Sequence, residues 1–217
     1  MAELTLIVAS KNYSSWSLRP YLALAHVGQP FREVVVPLGE ADTAHSVARY
    51  SPSGRLPVLH HGELVVWDSL AICEYLAETF PEARLWPQAA AARAHARSVV
   101  AEMHSGFQAL REHLPMNIRA RKPGRARPPA VDENIARIQA VWAECRGRFG
   151  QGGPFLYGHF TIADAFFAPV VTRFVTYGVA LEPVSQAYAD AVLALPAFQA
   201  WAEAGKAEPL IARYEQL

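Results

Sequence analysis

The sequence predicts a small α/β domain with a mixed sheet, followed by an all-α domain. Three observations carry this reading. Residues 1–82 alternate β-rich and helix-spaced stretches, a proline-flanked segment PEARLWPQ follows at 81–88, and the remainder has helical spacing or loop composition. In the first region, LTLIVAS (4–10) is β-rich. SLRPYLALAHVG (17–28) has apolar residues at helical spacing and a glycine where a C-terminal cap sits. FREVVVPL (31–38) is a second strand. LPVLHHGELVVWDS (56–69) is a hairpin with His60, His61, Gly62 and Glu63 at its turn, and SLAICEYLAETF (69–80) is an amphipathic helix ended near Pro81. The order βαβ then ββα joins a parallel unit to an antiparallel hairpin, which requires a mixed sheet with helices packed on it. The boundaries drawn are 1–82, a linker at 83–88, and 89–217. Helices are expected as one long stretch over 89–114, then at 131–149, 161–177, about 183–194 and 197–204. RARKPGRARPP (119–129) breaks structure between them.

Composition narrows the function classes. The 217 residues are 52% hydrophobic, enough for a sizeable core, and 20 basic residues balance 20 acidic ones. That neutrality does not favour nucleic acid or an anionic membrane as a partner. Cys73 and Cys145 form no C-x-x-C pair, which argues against a disulfide scaffold, a zinc site or a dithiol redox motif. MAELTLIVAS at the N-terminus looks like a first strand, not a signal peptide, and no apolar run approaches the roughly 20 residues of a membrane span. A soluble, cytoplasmic protein is the expectation. The adjacent His60 and His61 have no third ligand at a recognised spacing, so no metal is expected.

Three stretches carry chemistry. In KNYSSWSLRP (11–20), Pro20 lacks an N–H and fits a first helical turn, which places the N-cap near Trp16 or Ser17 and leaves Ser14 and Ser15 on the preceding loop. The serines are turn and cap residues, or one of them donates a hydrogen bond to an anion held at the helix N-terminus. In SPSGRLPVL (51–59), the Leu56–Pro57 bond is either an ordinary trans turn or a cis bond that presents the backbone of Leu56 for β-augmentation. In WDSLAI (67–72), Asp68 and Ser69 either cap a helix or bind the ammonium and carboxylate of an α-amino acid.

Taken together, these stretches resemble the cytosolic glutathione transferase family, over essentially the whole chain. SSWSLR lies where the zeta-like classes place a catalytic Ser or Cys ahead of an arginine that Arg19 matches. RLPVL is similar to the family's cis-proline motif, and DSLAICEYL to its γ-glutamyl motif, with Asp68 where Glu is usual. TIADAFFAP (161–169) is similar to its structural capping box, with Thr161 as cap and Asp164 reaching back. The resemblance implies a thioredoxin-like N-terminal domain that binds glutathione, an all-helical domain that contributes an electrophile pocket, and a homodimer. It implies an enzyme, a glutathione S-transferase active in detoxification that holds the thiol as a thiolate for attack on a small electrophile. Glutathione-dependent cis-trans isomerisation of the maleylacetoacetate isomerase type is the alternative, as is a non-catalytic glutathione-binding protein. Ser14 and Ser15 are the implied catalytic residues, Ser14 by the zeta and omega patterns and Ser15 by the delta pattern, with Ser14 preferred and Tyr13 as competitor. Arg55, Leu56, Pro57, Asp68 and Ser69 are the implied glutathione contacts. The second-substrate pocket is drawn at Tyr13, Met103, His104, Phe107 and Arg111.

Overall fold

The computed structural model describes residues 3–216. The chain runs β1 (Leu4–Ala9), α1 (Ser15–Val27), β2 (Phe31–Val36), α2 (Thr43–Ala48), β3 (Val58–His61), β4 (Leu64–Trp67) and α3 (Ser69–Thr79). Seven helices follow: α4 (Ala90–Ser105), α5 (Gln108–His113), α6 (Pro129–Phe149), α7 (Ile162–Tyr177), α8 (Pro183–Leu193), α9 (Pro196–Ala207) and α10 (Ala212–Glu215). The sheet order is β2-β1-β3-β4, with β1 parallel to β2 and antiparallel to β3, and β3 antiparallel to β4. The mixed sheet and the helical second half are the fold class read from the sequence. The strand β1 is buried along its whole length, as a run apolar at every position but Thr5 requires.

Four local expectations change. First, α1 begins at Ser15, not after Trp16, because Ser14 is the cap: its Oγ accepts from the Ser17 N–H. Pro20 therefore lies inside the helix, where its ring removes only the bond to the Trp16 carbonyl. Second, the stretch 89–114 is two helices. The break falls at Gly106 and Phe107, the latter held at φ 60°. Third, the hairpin turns on Gly62 and Glu63 alone, while His60 and His61 pair with Val65 and Leu64 inside the strands. Fourth, α2 and α10, of six and four residues, are additions to the expected elements; neither is long enough to show a helical period.

One apolar cluster runs through both halves of the chain. Leu18, Leu22 and Leu24 of α1 join Ile72 and Leu76 of α3, Val100 and Met103 of α4, and Phe166, Phe167 and Val170 of α7. A smaller cluster of Ile7, Val36, Val47 and Val58 sits between the sheet and α2. Nearly every residue of α7 is buried, and it is started by a capping box in which Asp164 Oδ2 accepts from the Thr161 N–H at 2.8 Å. Asp164 Oδ1 also accepts from the Leu156 N–H at 3.0 Å, tying the preceding loop to the helix start.

Burial pushes the Asp164 carboxyl up to about 6 from an ordinary 3.8, against the hydrogen bonds from Leu156 and Thr161. The folded state thus holds this proton more tightly than the unfolded one. The corresponding stability is fully present below pH 3.8 and is lost as pH rises through about 6. Urea melts of wild type and Asp164→Asn across this range test it. The stability of wild type relative to the variant is expected to fall by about 3 kcal/mol from the acid to the neutral end, because a tenfold change in proton affinity is worth about 1.4 kcal/mol.

Candidate functional site

Two cavities of about 620 Å³ each open at the C-terminal end of β1 and share Trp16, Arg55 and Leu56 in their walls. The first is bounded by Pro57, Asp68, Ser69 and His104. The second is bounded by Tyr13, Ser14 and Ser15, by the segment after β2, and by Arg213 and Tyr214 near the C-terminus.

The two serines differ in what their hydroxyls do. Ser14 Oγ accepts from the Ser17 N–H at 3.3 Å and donates to Ser17 Oγ at 2.9 Å. Ser17 Oγ in turn accepts from the Ala9 N–H at 3.0 Å, so Ser17 ties the end of β1 to the first turn of α1 rather than capping it. The Ser15 hydroxyl has no protein partner among the described residues and lies on the cavity wall. The N–H of Trp16 is likewise unpaired within the described residues, and this end of α1 carries the helix's partial positive charge. Tyr13 lines the same cavity, but its hydroxyl is fully committed. It donates to Glu215 Oε1 at 2.6 Å and accepts from Arg119 Nη2 and the Ile211 N–H, both at 3.2 Å.

On the opposite wall the Leu56–Pro57 bond is cis, and the Leu56 N–H and C=O have no backbone partner among the described residues. Arg55 borders both cavities. Asp68 is held at φ 73°, a region costly for a residue with a Cβ. Its Oδ1 offsets that strain by accepting from the N–H groups of Leu70 and Ala71 at 2.8 and 3.2 Å. The N–H of Ser69 is left free, among the described residues, at the start of α3. Asp68 Oδ2 lies 3.4 Å from His104 Nε2, which brings α4 against the γ-glutamyl motif. Burial pulls the His104 pKa below its ordinary value; Asp68 opposes this, and the charges of Arg19 and Arg111 add to it.

Of the residues drawn for the second-substrate pocket, His104 and Tyr13 line cavities, one each. Met103 and Phe107 lie on the inner face of the helical domain as core and line neither. Arg111 folds its guanidinium back onto the carbonyls of Met103, His104 and Gly106, which the break after α4 exposes. Its charge sits 5.0 Å from the centre of the Trp16 ring.

Two residues of the site are assigned no contact in the sequence reading, where Arg19 serves only as the motif's matching arginine. Trp16 is 38% exposed, stands between the cavities and meets His104 edge-on at 5.4 Å. A tryptophan within a serine-rich turn is the signal that points to it. Arg19 is completely buried between the Trp16 and Phe166 rings, at 4.3 and 4.6 Å. Nη1 reaches Ser69 Oγ at 3.5 Å, while Nε and Nη2 have no partner among the described residues. Burial, then the charges of Arg111 and Arg173, pull its pKa well below the ordinary arginine value. Cys73 is a free, fully buried thiol, and burial pushes its pKa up, which disfavours the thiolate. Among the described residues no three His, Cys, Asp or Glu side chains gather as a metal site.

Comparison with known proteins gives the same picture. Residues 13–79 match the family model described as glutathione S-transferase, N-terminal domain, and residues 128–204 the model for the C-terminal domain. The chain is 27% identical over 202 residues to glutathione S-transferase Z2 of Arabidopsis thaliana, covering 87% of this chain and 88% of that protein. It is 27% identical over 173 residues to a probable maleylacetoacetate isomerase of Caenorhabditis elegans, covering 78% of each. A Burkholderia glutathione transferase homologue, solved with glutathione bound, superposes with a TM-score of 0.70 at 24% identity, over 95% of this chain and 100% of that one. With the mixed sheet, the cis-proline and the capped helices in place, the chain belongs to the cytosolic glutathione S-transferase family.

Proposed function

We propose that the protein is a glutathione transferase in which Ser15 holds the glutathione sulfur as a thiolate for attack on a small electrophile. The observation that carries the choice of serine is the uncommitted Ser15 hydroxyl on the cavity wall, beside a neighbour whose hydroxyl is occupied in capping α1. The rest of the tripeptide follows from the opposite wall. Its backbone pairs with the free N–H and C=O of Leu56, in the manner of an added strand. Its γ-glutamyl carboxylate meets the free Ser69 N–H and hydroxyl, and its ammonium meets Asp68. Arg55 faces the glycine carboxylate. The Burkholderia homologue of the same fold was solved with glutathione bound, which supports glutathione as the ligand class.

The energetics suffice with one hydroxyl. A free thiol near 8.5 is only a few per cent thiolate at pH 7. A hydrogen bond to a charged group is worth roughly 1.5–3 kcal/mol, or about one to two pKa units. The sulfur lone pair then forms the new bond to the electrophile's carbon as the leaving group departs with the electron pair. Ser15 remains a donor throughout and is not itself alkylated.

A second reading has its own support. Two relatives are named as probable maleylacetoacetate isomerases, and Arg19 and Arg111 place positive charge against the Trp16 ring, which borders both cavities. In that reaction the thiolate adds to a double bond, the bond rotates, and the thiolate leaves. Glutathione is then unconsumed, which separates the two readings by product analysis. A homodimer, which would cover the half-exposed Leu64 and Trp67 of β4, and a detoxifying role in the cytoplasm, where the two free thiols stay reduced, belong to the same proposal.

Three variants test the site. Thiolate absorbance of bound glutathione against pH is expected to show a pKa well below 8.5 that rises by about one to two units in Ser15→Ala. Ser14→Ala is expected to leave that pKa within about half a unit and to lower stability by about 1 kcal/mol through the lost cap. Asp68→Asn keeps a good N-cap residue and one of the side chains that tolerate positive φ, but removes the charge. It is expected to raise KM for glutathione by about 10- to 100-fold, the worth of one charge-assisted bond, with the melting temperature little changed.

A further inference from the structure

The turn that presents Ser15 is held from the far end of the chain. Between β1 and α1, the N–H groups of Lys11 and Asn12 are both donated to one carboxylate: Glu208 Oε1 accepts from Lys11 at 2.8 Å and Oε2 from Asn12 at 3.1 Å. The Lys11 carbonyl accepts from Trp201 Nε1 at 3.0 Å, and the Asn12 carbonyl from the Ile118 N–H at 3.3 Å. The Asn12 side chain donates to Asn117 Oδ1 at 2.9 Å and accepts from the Arg119 N–H at 3.0 Å. Gly205 lies so close beneath that a Cβ there would meet the Asn12 nitrogen at 3.0 Å. The Tyr13 hydroxyl is bound to Glu215, as described. Every one of these partners belongs to the helical domain. The nearby cations have their own contacts: Lys11 Nζ pairs with Glu33 at 2.5 Å, Lys206 with Glu203 at 2.6 Å, and Arg119 Nη1 donates to the carbonyls of Lys206 and Glu208.

We infer that Glu208 is a positioning residue for thiol activation, acting through the backbone of residues 11–14 on the orientation of Ser15. Two adjacent N–H groups bound by one carboxylate fix the direction of the peptide planes, because charge-assisted bonds are short and directional. Two residues later the same backbone enters the cap of α1, and the next residue is Ser15. A hydroxyl donor weakens steeply when its angle to the acceptor is lost. The inference rests on the reading of Ser15 as the thiol's partner.

The sign of the effect separates positioning from charge. A carboxylate near the site disfavours a second anion, so removing it by charge alone would lower the pKa of the bound thiol. Loss of positioning raises it. The experiment compares full-length wild type, Glu208→Gln, Glu208→Asp and the surface control Glu203→Gln. It measures bound-glutathione thiolate absorbance against pH, the Kd for glutathione, and the melting temperature. Glu208→Gln is expected to raise the thiol pKa by about one unit, a tenfold loss of thiolate below the pKa, with Kd changed less than about threefold. Glu208→Asp, which retains the charge, should recover part of that change, and Glu203→Gln should leave the pKa at the wild-type value. A variant of Glu208 that melts earlier but keeps the wild-type thiol pKa, or lowers it, makes Glu208 a purely structural clamp and overturns the inference while the Ser15 reading stands. An unshifted thiol in wild type itself overturns both. Should Glu208→Gln not fold, the gentler Glu208→Asp decides alone, its thiol pKa being compared with wild type.

Discussion

The structure depends on a buried carboxylate whose hydrogen-bond donors, among the described residues, are all uncharged. Asp164 sits in the dry centre of the helical domain and is held by the N–H groups of Thr161 and Leu156 and by the Thr161 hydroxyl. Those bonds start α7, the helix against which α1, α4 and α8 pack. Phe166, two residues on, covers one face of Arg19, and the Ile162 N–H donates to the Leu85 carbonyl, docking the linker against the same helix end. Burying such a group is unfavourable, and the three donors offset that cost only in part, as its raised pKa reflects. The result is a rigid spine that fixes α1, and α1 fixes the site.

The site is a seam, and neither half supplies it alone. The α/β domain contributes an unpaired backbone edge at Leu56, two helix starts and a free hydroxyl. The helical domain contributes His104 against Asp68, the wall of Arg213 and Tyr214, and the bonds that hold the turn before Ser15. Arg19 shows how closely the halves are fitted. A guanidinium with two unpaired nitrogens is retained in the core by two aromatic faces and one serine hydroxyl, directly beneath the residue that begins α3. Buried unpaired cations destabilise, and this one is screened from the cavity by the Trp16 ring, which lines it.

Much of this is legible in the sequence because it is encoded locally. Strand β1 is apolar at every position but Thr5, α3 ends before a proline, and the Thr161-to-Asp164 spacing is a capping box wherever it folds. The mixed sheet follows from element order. What is not legible depends on distant partners. Nothing in KNYSSWS tells Ser14 from Ser15, since the difference lies in which hydroxyl Ser17 occupies. Pro20 points to a later helix start because prolines favour first turns, but a capped helix tolerates one further in. Met103 and Phe107 have the spacing of a pocket-lining face and also of a core face, and the break at Gly106 turns that face inward. Glu208 carries no motif at all, because its role exists only once the chain's two ends meet.

That meeting bears on how such a chain can be recombined. The apolar cluster that holds α1 against the sheet continues without a boundary into α4 and α7, so the linker at 83–88 joins two parts of one core rather than two modules. A chimaera that took its first half from one relative and its second from another would inherit mismatched neighbours for Leu18, Leu22 and Phe166, and a turn at residues 11–13 with no one to hold it. The C-terminal segment is the opposite case: Arg213 and Tyr214 edge a cavity but lie outside that shared interior, so they can be exchanged without repacking it.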